Sequence, residues 1–201
     1  MEMQTKLNDK MVAYLETLAK EGIHNAAKGF SGMLGQELTV TEPEVRILPL
    51  LSLSEIVGGP EDDAVGIYLR GEGDLATQFM LMIPLQKAHD LVDLLMDQPL
   101  GTTQCMGSLE RSALAEVGNL TATFFMNSIA TISGVSLRPT PPAVMVDMVG
   151  AILDIVIATA GGLSDSVLMV KTKFMLGDRE VGADFWVIPD EKTISLLSTR
   201  I

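Results

Sequence analysis

Apolar and polar residues alternate along this chain with periods that change several times, and each change marks a new element. From about residue 8 to 34, Met11, Leu15, Leu18 and Ala19 recur at the spacing of one helix face. Gly22, Gly29 and Gly32 fall inside that helix, where each costs roughly 1 kcal/mol against alanine but lets another backbone approach closely. Val45 to Leu51 has a strand pattern, with Pro49 placing it at an edge or a bulge. Ser52 to Val57 predicts a short helix ended by Gly58-Gly59. Val65 to Arg70 and Gln78 to Ile83 predict two strands joined by a Gly-Glu-Gly-Asp turn at 71 to 74, and Leu85 to Met96 a helix with Leu91, Leu94 and Leu95 on its apolar stripe.

The same order then returns. Ser108 is a candidate N-cap for a helix running to about Ile132, with Glu110 in its first turn and Gly134 at its end. Val144 to Met148 predicts a strand and Gly150 to Ala158 a short helix. Ser166 to Leu176 and Val181 to Ile188 predict a hairpin around Gly177-Asp178. Gly35 and Gly134 are 99 residues apart, as are Pro43 and Pro142. Met80 to Pro84 and Phe185 to Pro189 align at an offset of 105, which implies a six-residue insertion in the second half. Residues 1–201 are therefore expected to form one domain of two structural repeats, about 8–100 and about 107–201. The fold class is α+β, a pseudo-two-fold duplicated unit with a largely antiparallel sheet and packed helices.

Composition narrows the function. Asp and Glu outnumber Lys and Arg by 26 to 14, and the net charge of −12 repels nucleic acid and anionic membranes. Hydrophobic residues make up 47% and aromatics 4%, so aliphatic side chains and Met must fill the core. Cys105 is the lone cysteine, which allows no intrachain disulfide and fits a reducing cytoplasm. The N-terminal MEMQTKLNDK has no apolar signal region. The most apolar stretch, Ala143 to Gly162, carries Asp147 and Asp154 and reads as core instead of a membrane span. Asp147 and Asp154 lack a third metal ligand, and His24 and His89 stand alone, so no metal site is expected. No dinucleotide fingerprint, P-loop or nucleophile elbow is present, which leaves little support for a metabolic enzyme.

Candidate chemistry lies in Ser112-Ala-Leu-Ala-Glu116-Val-Gly-Asn119, where Ser112, Glu116 and Asn119 at i, i+4 and i+7 share one helical stripe. Leu114, Val117 and Ala113 are expected to point away from it. Glu-x-x-Asn alone arises by chance in roughly half of chains this long. Adding Ser112, and Pro142 after 22 further residues, lowers that expectation below about one in a hundred. The pattern resembles the signature of the CheC/CheX/FliY chemotaxis phosphatases, and CheC-type members above all. It is joined by the doubled architecture, by Gly35 and Gly134, and by the Gly-Gly-Pro-Glu-Asp-Asp loop at 58 to 63.

The resemblance implies hydrolysis of the aspartyl phosphate on a CheY-type response regulator. Asn119 would hold the attacking water, Glu116 would dock against the receiver's Lys, and Ser112 and Pro142 would support them. Ser112 has no His with an acidic orienter to make it a nucleophile. No cofactor is expected on this chain, because Mg²⁺ would belong to the receiver. Ala13, Thr17 and Lys20 occupy the matching places 99 residues earlier, so the first site is expected to be degenerate. The alternative is a non-catalytic scaffold that binds phosphorylated receivers, a CheD-type deamidase or flagellar switch proteins.

Overall fold

The computed structural model describes residues 9–41, 44–49, 52–53, 59–159 and 166–189. Pro43, Gly58, most of the expected helix at Ser52 to Val57 and everything after Pro189 lie outside them. The elements in chain order are α1 (Asp9–Leu34), β1 (Leu38–Val40), β2 (Glu44–Pro49), β3 (Asp63–Gly73), β4 (Thr77–Pro84), α2 (Leu85–Leu95), α3 (Ser108–Ser133), β5 (Leu137–Pro139), β6 (Ala143–Met148), α4 (Val149–Thr159), β7 (Ser166–Leu176) and β8 (Arg179–Pro189). The fold is α+β. Every strand pair among the described residues is antiparallel, in the order β1-β7-β8-β4-β3-β5, with β2 on β7 and β6 on β3. That order reads alike from both ends. Among the described residues β2 pairs β7 alone, the edge position that Pro49 requires.

Two hydrophobic layers cover the sheet. On one face α1, α2 and α3 bury Leu18, Ile23, Val92, Leu114 and Phe125 against Val65, Ile67, Leu69, Phe79, Leu81 and Ile83. Phe79 meets Phe125 edge to face at 5.8 Å, a geometry worth about 0.5–1.5 kcal/mol beyond simple burial. On the other face α4 lays Ile152, Leu153 and Val156 over Ala64, Met80, Met82, Met169 and Trp186. β4 is covered on both sides, which is why its sequence is an unbroken apolar run from Phe79 to Ile83.

Glycine sets the approach of the two long helices. A Cβ on Gly22 would lie 2.5 Å from Phe125, and one on Gly29 would lie 1.9 Å from Phe124. Both glycines therefore repay their helix-propensity cost by admitting a phenylalanine from the facing helix. Gly22 lies against Phe125 and Asn25 donates to Ser128 Oγ at 3.2 Å. The end of α1 at Leu34 reaches Ser112 and Glu116 near the start of α3, so the two helices run antiparallel. Leu18 and Ala19 are buried as expected, while the side chains of Met11 and Leu15 lie outside the described residues.

Three local expectations are corrected. Ser108 is the first residue of α3 and not its cap; Gly107 holds the cap position without a side-chain hydrogen bond. The turn between β3 and β4 falls at residues 74–76, because pairing with β5 keeps Gly71, Glu72 and Gly73 in the strand. The 99-residue step holds for α1 and α3, β1 and β5, and β2 and β6, but the 105-residue alignment does not survive the register. Met82 lies in the α4-side layer and Val187 in the opposite one, whereas Trp186 shares the layer of Met82. An offset of 104 preserves the faces, since a one-residue slip turns every strand side chain over.

The connection between the halves is anchored by a buried carboxylate. Asp93 of α2 is fully buried and accepts the backbone N–H groups of Gly101 at 2.7 Å, Thr102 at 3.0 Å and Thr103 at 2.8 Å. Burial by itself would raise its pKa, but the bonds from the Thr103 side chain and from the three N–H groups outweigh it and hold the group below its ordinary 3.8. With a folded pKa below the unfolded one, this stabilisation is complete above the ordinary carboxylate range and is lost as pH falls through the lower, folded value. We expect Asp93→Ala to cost about 2–4 kcal/mol at pH 7, from N–H groups left unsatisfied. Urea unfolding at pH 7 and pH 3 should show the gap to wild type shrinking at the lower pH.

Candidate functional site

The inner face of α3 determines what its outer face can present. Leu114, Val117, Thr121 and Ala122 are buried, and Gly118 touches the sheet, where an added Cβ would lie 2.3 Å from Ile67. Contact through a glycine seats the helix on β3 at short range. The residues a little over half a turn away are then directed outward. Ser112 and Glu116 are exposed and Asn119 is half-buried, all within about 60° of one stripe. Among the described residues neither the Glu116 carboxylate nor the Asn119 amide has a hydrogen-bond or ion-pair partner. The nearby cation is committed elsewhere: Arg111 donates through Nε to the Met106 carbonyl at 3.0 Å. The ridge thus offers an unneutralised carboxylate and, one turn on, an amide able both to donate and to accept.

Ala113, set about 100° round the helix from Ser112 and half-buried, lines a groove of about 440 Å³ with Ser112, Glu116, Leu34, Leu95 and Leu109. The ends of α1 and α2 meet the first turns of α3 there. The one legible signal for this groove was Leu109, an apolar residue three positions before Ser112 on the same stripe. Pro142 is half-buried in the connection between β5 and β6, a different element from the ridge.

The matching positions on α1 carry different chemistry. Ala13 and Thr17 are exposed, Thr17 donates its hydroxyl to the Ala13 carbonyl at 3.0 Å, and Lys20 is half-buried. Asn25 bonds Ser128 between the helices, and the His24 ring lies 2.8 Å from the Lys20 carbonyl. Asp147 is bonded to the Met148 N–H, while Asp154 and Cys105 are exposed. Among the described residues no three His, Cys, Asp or Glu side chains gather as metal ligands, and no helix is long and apolar enough to cross a membrane.

A family described as CheC-like matches residues 109–146, which span the ridge and Pro142. The CheY-P phosphatase CheC of Bacillus subtilis is 23% identical over 188 residues, covering 92% of this chain and 90% of that protein. Thermotoga maritima FliY superposes with a TM-score of 0.74 at 16% identity, over 96% of each chain. A chain of the CheX-CheY-BeF3-Mg²⁺ complex from Borrelia burgdorferi superposes with a TM-score of 0.53 at 17% identity, over 90% of this chain and 99% of that one.

Proposed function

This chain carries a CheC-like sequence on the fold shared by CheC, FliY and CheX, and from that premise we propose that it hydrolyses the aspartyl phosphate of a CheY-type response regulator. The observation carrying the proposal is the ridge itself, a Glu116 and an Asn119 without partners among the described residues, on an accessible stripe inside the segment that matches the family. An acyl phosphate is already labile and phosphoryl transfer passes through a loose transition state, so positioning and charge stabilisation do most of the catalysis. An amide can then suffice where a strong base would otherwise be sought. In this reading Asn119 orients the attacking water in line with the phosphorus. Glu116 pairs with the receiver's lysine, since a carboxylate set directly against phosphate would repel it. Mg²⁺ belongs to the receiver, Ser112 and Pro142 support the ridge, and the reaction runs in the cytoplasm.

The same reading treats residues 1–201 as one CheC-like domain of two repeats with one working ridge. At the Thr17 ridge both the carboxylate and the amide are missing, so one receiver is served per chain. That lost ridge is also what favours the second reading, a scaffold for phosphorylated receivers, flagellar switch proteins or a CheD-type deamidase. A phosphorylated receiver decides between them. A phosphatase shortens the lifetime of the phosphate in an Asn119-dependent manner, while a scaffold binds the receiver and leaves that lifetime unchanged.

A further inference from the structure

Leu109 is 64% exposed, the most exposed of the large hydrophobic side chains among the described residues. It stands on the stripe of Ser112, Glu116 and Asn119, at steps of three, seven and ten residues, and forms a wall of the groove that contains Ser112 and Glu116. We infer that Leu109 is a docking residue for the phosphorylated receiver, and that the groove takes an apolar side chain from the receiver surface beside its phosphorylated aspartate. The inference rests on the proposed partner, though not on turnover of its phosphate.

Area identifies the occupant. Along α3 the distance from Leu109 to Glu116 is about 10 Å and to Asn119 about 15 Å. A weak but specific protein complex buries on the order of 1,000 Å² in total, hence a patch about 25 Å across on each partner. A receiver centred between Ser112 and Asn119 therefore covers Leu109 as well. Whatever brings phosphate to Asn119 must also close the groove.

The chemistry fits that division of labour. Glu116 supplies a charge that steers encounter and sets orientation, while an apolar contact flanking it supplies burial that salt does not screen. Leu34, Leu95 and Ala113 form the rest of the apolar lining, contributed by three helices. The groove is thus held by core packing and needs no rearrangement to receive a side chain.

The test pairs Leu109→Gln, a neutral change at an exposed position, with Ile155→Gln on α4, where the side chain is 51% exposed on the other face of the sheet. Affinity is measured for a receiver held in its phosphorylated form by beryllofluoride and Mg²⁺, and KM and kcat for the phosphorylated receiver. We expect Leu109→Gln to weaken binding and raise KM about tenfold while kcat stays within about twofold. Ile155→Gln should change none of these. Unchanged affinity in Leu109→Gln, or an equal loss in Ile155→Gln, overturns the docking role and leaves the phosphatase reading standing. A wild-type chain that never hydrolyses the phosphate but loses receiver affinity in Leu109→Gln gives the reverse result, with the groove upheld and the phosphatase reading lost.

Discussion

Asn119→Ala should slow hydrolysis of the receiver phosphate by at least about 100-fold, equivalent to roughly 2.7 kcal/mol of transition-state stabilisation. The amide has no partner to lose among the described residues, and its side chain is half-buried on a helix whose packing lies on the opposite face. Folding should therefore be nearly untouched, with a thermal midpoint within about 2 °C of wild type. Affinity for the beryllofluoride-activated receiver should change by less than about threefold, because the amide acts on a water and not on the protein surface. The decisive comparison is single-turnover loss of labelled phosphate at saturating chain. Equal rates for wild type and mutant would remove Asn119 from the chemistry.

Replacing Gly118 with Val should cost about 3 kcal/mol or more and lower the thermal midpoint by roughly 6–12 °C. Helix propensity alone favours the opposite outcome by a few tenths of a kcal/mol. The clash wins because a Cβ would lie 2.3 Å from Ile67 Cγ2 and 3.2 Å from Ile67 Cβ. Ile67 is fully buried in β3 and stiff at χ1, so it has nowhere to turn. Relief requires α3 to lift from the sheet, and Glu116 and Asn119 lift with it. A displacement of about 1 Å can itself cost on the order of 100-fold in rate. Loss of activity well below the melting temperature would separate this positional effect from simple unfolding. Gly32→Ala is the control, since its Cβ meets nothing within 4 Å among the described residues, and it should stabilise the chain by about 0.5–1 kcal/mol.

Much of this was legible from one-dimensional patterns. The spacing of Ser112, Glu116 and Asn119 places them on one stripe whatever the helix packs against, because 3.6 residues per turn is a property of the backbone. The positive φ of 63° at Gly35 and 62° at Gly134 follows from helices that end in a left-handed residue, and the matching glycines exposed the 99-residue step. Pro49 narrowed its strand to an edge or a bulge by its missing N–H, and the strand is found at the edge. Identical chemistry at a fixed local period carries its own meaning.

Where residues distant in sequence meet, pattern alone failed. Met80 to Pro84 look most like Phe185 to Pro189 letter by letter, yet the ladder equates them one residue off, because cross-strand register and not similarity decides which face a side chain takes. Asp93 reads as an ordinary polar residue beside Leu94, and only the fold brings Gly101, Thr102 and Thr103 to its carboxylate. The sequence by itself determined the long helices, the longer strands, the 99-residue step and the chemical identity of the ridge, all of which depend on local geometry, whereas the three-residue strands β1 and β5 carry too little pattern to be read and emerge only from their pairing with β7 and β3. Tertiary structure alone decided that Gly118 would seat α3 on Ile67 and that three helix ends would enclose a groove beside Glu116. Those outcomes depend on which faces exclude water together, a quantity no single segment contains.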